Sequence, residues 1–222
     1  MIRRVGRFGI RLSRGSVRRS VFVVLAVVRV ARNLSHRVLN RSDQQRWSDL
    51  TNHEKWWDER TAKIARLIPA GSRVIEFGAG RRQLANVLDS SCSYTPSDLV
   101  ERGPGTFVCD LNQRPLPSLS HLGADTAVFG GVLEYIHDVQ SLVKWLAEHV
   151  STCVASYACT STEDRMASRM RHGTSRYYYG YMNSYSEADL ISLFQRAGFR
   201  CIARDPWNAQ RMFVFVKQHY RE

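Results

Sequence analysis

Arg73-Val74-Ile75-Glu76-Phe77 runs into Gly78-Ala79-Gly80 and then Gln83-Leu84-Ala85-Asn86-Val87-Leu88. A short apolar strand, a glycine turn and a helix-forming stretch, in that order, open a βαβ unit. Downstream, residues 93–97 read as a strand ending at Asp98, residues 106–109 as one ending at Asp110, and residues 126–129 as one ending at Gly130-Gly131. Val139, Leu142, Val143, Leu146 and Val150 share one helical face, and a further strand follows at residues 152–156. Ser186 caps a helix that holds Leu190, Ile191, Leu193 and Phe194 inside and stops at Gly198. Residues 199–203 and 212–216 supply two last strands. Upstream, Trp57, Thr61, Ile64, Ala65 and Ile68 mark an amphipathic helix closed by Pro69 and Gly71. Strands alternating with helices predict an α/β fold, a mostly parallel sheet with helices on both faces.

The chain has 222 residues, enough for one domain and an appendage. Its 44% hydrophobic and 23% charged residues exclude global disorder and a collagen-like fibre. The longest apolar run, residues 21–28, is far short of the ~20 residues of a spanning helix. The net charge of +12 is concentrated at one end: before Asp43 there are eleven arginines and no acidic residue. The chain therefore divides into a basic arm, residues 1–42, and a nearly neutral domain, residues 43–222. On a helix, Arg29, Asn33, His36, Arg37 and Asn40 form a polar face, with Val27, Val30, Ala31, Leu34 and Val38 elsewhere. Such an arm can lie on an anionic membrane surface, act as an organellar (mitochondrial) transit peptide, grip nucleic-acid phosphates, or pack its valine face on the domain. Nucleic acid is the less suited partner, since only Phe8 and Phe22 offer rings for base stacking. Cys92, Cys109, Cys153, Cys159 and Cys201 lack metal-finger spacing and form an odd set. No metal site and no disulfide framework is expected, and a reducing compartment, the cytoplasm, fits best.

In an open parallel sheet, ligands bind beyond the carboxyl ends of the strands. Those ends carry Glu76, Gly78 and Gly80 after the first strand, Asp98 after the second and Asp110 after the third. Glycines admit close approach to the backbone, and a carboxylate can accept hydrogen bonds from a ribose diol or an exocyclic amine. These residues, with Asp125-Thr126-Ala127-Val128-Phe129-Gly130-Gly131-Val132-Leu133-Glu134-Tyr135-Ile136 and the late segment from Ser184 to Phe199, resemble the class I S-adenosylmethionine-dependent methyltransferases. The resemblance covers roughly residues 57–217. It implies a Rossmann-like seven-stranded sheet with an antiparallel last strand, and S-adenosylmethionine as cofactor. Glu76, Gly78 and Gly80 are then expected around the methionine part, Asp98 at the ribose, Asp110 with Leu111 at the adenine, and Gly131 with Val132 near the methyl-bearing centre. Arg82 stands where the family often has a small residue. A dinucleotide oxidoreductase is disfavoured because Gln83 breaks the G-x-G-x-x-G fingerprint, and no phosphate loop occurs.

Methyl transfer from a sulfonium requires chiefly that a nucleophile be held about 3 Å from the methyl carbon and in line with the breaking bond. A hydroxyl acceptor profits from a general base. His137, Glu134 and Tyr135, just after the fourth strand, are the candidates. The Gly130-Gly131-Val132-Leu133 turn speaks against an exocyclic-amine acceptor of DNA or RNA. Residues 159–184 break the α/β rhythm with Arg165, Arg169, Arg171, His172, Arg176 and Tyr177-Tyr178-Tyr179-Gly180-Tyr181, and are expected to form an acceptor lid. Arginines among tyrosines suit an anionic or sugar-bearing molecule. The expected function is methylation of a hydroxyl on a small-molecule, glycan or lipid-linked acceptor, with the arm at a membrane. An RNA methyltransferase or a non-catalytic scaffold of the same fold are the alternatives.

Overall fold

The computed structural model describes residues 14–160 and 176–218, with side chains from residue 24 onward in the first helix. Seven strands form one sheet: β1 Arg73–Phe77, β2 Ser93–Asp98, β3 Phe107–Val108, β4 Thr126–Gly130, β5 Thr152–Tyr157, β6 Phe199–Trp207 and β7 Gln210–Lys217. Their order is β3-β2-β1-β4-β5-β7-β6. All pairs are parallel except β5–β7 and β6–β7. The helices are α1 Arg14–Val38, α2 Gln44–Ser48, α3 Trp57–Leu67, α4 Val139–His149 and α5 Glu187–Arg196. The seven-stranded sheet with its antiparallel last strand is as expected.

The strands are apolar on both sides because both sides are covered. Ile75, Phe77, Ala127, Phe129, Cys153 and Phe215 point into one core with Leu142 and Leu146 of α4 and Phe194 of α5. Their neighbours Val74, Val128, Val154 and Val214 point the other way, onto Ile64 and Ala65 of α3. This alternation is the period of two that a pleated strand imposes. α5 starts with the expected cap: Ser186 and Asp189 form a reciprocal capping box.

One element differs from expectation. Residues 83–88 make only a short 3-10 turn, Gln83–Asn86, in place of a helix. Arg82 takes a left-handed conformation, φ +56°, and its guanidinium donates to Gly103 O at 2.6 Å and Pro104 O at 3.1 Å. That clamp fastens the turn to the β2–β3 loop and leaves no length for a full helix. It also carries Arg82 away from the sheet's ligand-binding edge.

α1 rests on the domain by its polar face. Asn33 is 6% exposed and its Nδ2 donates to Tyr177 O at 2.7 Å and Tyr178 O at 3.0 Å. Arg32 pairs with Asp43 at 2.6 Å. This helix does not pack through its valine face: the surface it meets offers carbonyl and carboxylate oxygens, which require donors, and the rings of Tyr177 and Tyr178, which Arg37 and Arg29 cover. Among the described residues, no helix is long and apolar enough to cross a membrane. Arg165, Arg169, Arg171 and His172 of the expected lid lie outside the described residues.

Candidate active site

The turn after β1 is built around two glycines with positive φ, Gly78 (+70°) and Gly80 (+50°). A Cβ at Gly78 would come within 2.5 Å of Val132 Cγ2, and one at Gly80 within 2.3 Å of the His53 ring. Gly80 N donates to Asp98 Oδ2 at 2.8 Å, so the end of β2 holds the turn in place. Leu99 N donates to Asp98 Oδ1 at 2.7 Å, and Arg102 pairs with the same carboxylate at 3.2 Å. Both partners of that ion pair are 4% exposed in their side chains. Arg102 Nη1 also donates to Ser48 O at 2.9 Å, which ties α2 to β2.

Glu76 is buried, and Tyr94 donates its hydroxyl to Glu76 Oε2 at 2.6 Å. Burial pushes its carboxyl up to about 8, against the opposing pull of the Tyr94 hydrogen bond and the Arg60 charge. Asp110 is turned aside: Ser42 Oγ donates to its Oδ1 at 2.6 Å and Asn112 N at 2.9 Å, and it does not line the cavity described below, whereas Leu111 does.

At the end of β4, Arg60 of α3 lies against Gly131, where an added Cβ would approach Nη1 to 2.4 Å. Its guanidinium stands 5.3 Å from the Trp57 ring and 5.6 Å from the Trp207 ring. Gln210 bridges Arg60 to Glu134, accepting from Arg60 Nη1 at 3.3 Å and donating to Glu134 Oε1 at 3.2 Å. Among the described residues no carboxylate lies within ion-pair distance of Arg60, and its Nε has no hydrogen-bond partner. Burial lowers its affinity for a proton, yet a guanidinium stays charged. Glu134 is fully buried, accepts from Ala158 N at 2.8 Å and is raised in pKa by burial; its Oε2 has no partner.

Arg60, Glu76, Gly78, Asp98, Arg102 and Gln210 border one cavity of about 800 Å³ beyond the carboxyl ends of β1, β2 and β4. Its far wall comes from the amino-terminal elements and from residues 178–182. Tyr135 meets Trp47 edge-on at 4.8 Å and Tyr181 at 5.4 Å, and burial raises its hydroxyl far above the ordinary range. Arg46 lies over Trp47 at 4.4 Å. Of the expected site residues, Glu76, Gly78, Asp98, Leu111, Gly131, Val132 and Tyr135 line the cavity. Gly80 and Glu134 stand one layer behind it. His137 does not join them: its side chain is exposed, outside the lining, because Asp138 caps α4 and the His137 N–H is held by Asn112 Oδ1 at 2.7 Å. Among the described residues no cluster of His, Cys, Asp and Glu suited to a metal is present.

A family model described as a methyltransferase domain matches residues 47–204. The chain belongs to the class I S-adenosylmethionine-dependent methyltransferase family. No curated protein sequence matches it. Solved structures of similar fold include the pyocyanin biosynthetic protein PhzM, at 13% identity and TM-score 0.53, covering 71% of this chain and 54% of that one. The 1,6-didemethyltoxoflavin-N1-methyltransferase of Burkholderia thailandensis, solved with S-adenosylhomocysteine, has 16% identity and TM-score 0.56 over 89% of this chain and 90% of its own. Mitomycin 7-O-methyltransferase has 16% identity and TM-score 0.60 over 86% of this chain and 68% of its own. The chain thus spans little more than half the length of the first of these and two-thirds of the last.

Three residues of this candidate site were not anticipated from the sequence. Arg60 sits one helical turn before Ile64, on the inward face of α3, so its position on that face was readable even though its company was not. His53 packs over Gly80, and burial together with the nearby Arg102 charge lowers its pKa; its Nε2 has no partner. Trp47 sits in a segment with no periodic pattern, so nothing local marked it.

Proposed function

We propose that the chain transfers the methyl group of S-adenosylmethionine to a hydroxyl of a small-molecule acceptor. The observation that carries this reading is the convergence of Glu76, Gly78, Asp98 and the buried Arg60, which has no ion-pair partner among the described residues, on one cavity. The residues fit the cofactor on two counts. Gly78 carries no side chain over the turn, since Val132 Cγ2 fills the place of a Cβ, and its bare backbone borders the cavity. Arg60 is a buried cation that a carboxylate would neutralise. In this reading Arg60 faces the methionine carboxylate, Asp98 the ribose, Leu111 beside Asp110 the adenine, and Gly131 with Val132 the methyl-bearing centre. When bound, the cofactor supplies an activated methyl group with a good leaving group. The protein's part is then to orient the acceptor and keep out water. Tyr135 borders the cavity with a hydroxyl that burial keeps protonated, and in this reading it donates a hydrogen bond to the acceptor oxygen, while Glu134 behind it holds Gln210 and the end of β5. The tyrosine–arginine rim of Tyr178, Tyr179, Tyr181 and Arg46 suits a flat, anionic or sugar-bearing molecule, which supports a glycan- or lipid-linked hydroxyl as the finer form. Calorimetric titration with S-adenosylhomocysteine tests the reading: saturable binding is expected, and no binding at about millimolar ligand, some 4 kcal/mol, would remove it.

A further inference from the structure

α1 is amphipathic the wrong way round for a helix in water. Such helices bury the apolar stripe and show the polar one. Here Arg29, Asn33 and His36 face the cavity, while Val24, Val27, Val28 and Val38 are 60%, 63%, 59% and 80% exposed and Leu34 is 40% exposed. At 3.6 residues per turn these five, with Ala31, fall within a sector of about 120°. Ser35 shares that sector with its hydroxyl turned back onto Arg32 O, and an otherwise apolar exposed stripe in this position marks a surface made to be covered.

The charge of the arm selects the cover. Residues 1–42 hold eleven arginines and no carboxylate, and among the described residues Asp43 pairs with one of them, Arg32. A second copy laid on the stripe would set one such arm against another, and like charges across a low-dielectric contact repel. A nucleic acid would take the arginines and leave the valines in water. An anionic bilayer takes both: the stripe enters the boundary between headgroups and acyl chains, and arginine heads reach the phosphates above it.

We propose that α1 lies in the interface of an anionic lipid bilayer through Val24, Val27, Val28, Leu34 and Val38, and so brings the cavity rim to the lipid surface. The helix lies flat, about 37 Å long at 1.5 Å per residue, and does not span. Its inner face is itself part of the rim: Arg29 stands 4.5 Å over the Tyr178 ring, beside Asn33 and Tyr179. An acceptor entering over the rim that α1 and Tyr178 form together comes from the bilayer surface, hence an amphiphile; this last step rests on the methyl-transfer reading.

Vesicle flotation of the full chain tests the proposal, with phosphatidylcholine vesicles made with and without phosphatidylglycerol, at about 0.1 M salt. The chain is expected to float with the anionic vesicles and roughly tenfold less with the neutral ones. The double variant V27E/V38E, at two exposed positions, is expected to lose roughly tenfold of the anionic binding while its affinity for S-adenosylhomocysteine stays within about twofold. Equal flotation of parent and variant overturns the proposal, as does flotation indifferent to lipid charge. So does a parent dimer, seen by sedimentation, that the variant abolishes, or an RNA oligonucleotide that binds both proteins equally while vesicles bind neither. Flotation as expected without any binding of S-adenosylhomocysteine upholds the docking and removes only the methyl-transfer reading and the acceptor route.

Discussion

Glu76→Gln isolates a strongly perturbed carboxyl of the cavity lining. Glu76 is buried and titrates near 8 in the folded chain, against 4.5 for the free side chain, because burial outweighs both Tyr94 and Arg60. Between those two values the folded state binds more protons than the unfolded one, so stability falls as pH rises through the window and levels off above about 8. Integrating from pH 5 to pH 9 gives about 4 kcal/mol lost through this one group. Glutamine keeps the shape and an acceptor for Tyr94 but carries no titration. Urea unfolding followed by tryptophan fluorescence at intervals from pH 5 to pH 9 should therefore show the parent losing about 4 kcal/mol relative to the variant. Glu134, also raised by burial, is present in both proteins and cancels in the difference. Parallel curves, constant within about 1 kcal/mol, would refute the reasoning, since they mean that water reaches Glu76 and leaves it ionised.

Asp98→Ala should weaken S-adenosylhomocysteine binding by about 1.5–3 kcal/mol in calorimetry, the scale of hydrogen bonds to a charged group. It also strands buried Arg102, at about 3–5 kcal/mol, so its melting temperature should drop by at least ~6 °C; adding Arg102→Met should recover part of the melting temperature and none of the affinity. Arg60→Met should weaken S-adenosylhomocysteine by a similar 1.5–3 kcal/mol or so while leaving methylthioadenosine, which lacks the carboxylate, within about twofold; equal loss for both nucleosides places the carboxylate elsewhere. His137→Ala should keep the methylation rate within about twofold in a single-turnover assay, because its side chain lies outside the cavity, whereas loss of a general base costs roughly 10²–10⁴-fold.

Much of the architecture was legible residue by residue. The alternation of Val74, Ile75, Glu76 and Phe77 marks a strand covered on both sides, and Ser186 marks a helix start. These signals are local, because the pleat and the capping box are geometries of a few consecutive residues. The strand-end residues Glu76, Gly78 and Asp98 were legible for a related reason, since a parallel sheet brings its carboxyl ends to one edge whatever the loops do. The helix after β1 was not, because the clamp of Arg82 on Gly103 and Pro104 joins two loops that are distant in sequence.

What the sequence by itself determined is the strand-and-helix order, the edge at which the site lies, and the one-sided charge of the arm. Tertiary structure alone decided that Arg60 is buried with no ion-pair partner among the described residues, that His137 is left outside, that Arg102 is buried on Asp98, and that α1 turns its valines outward. Each of these depends on which distant segment fills the space beside a side chain. Burial and charge pairing are properties of that three-dimensional neighbourhood, and no period along the chain encodes it.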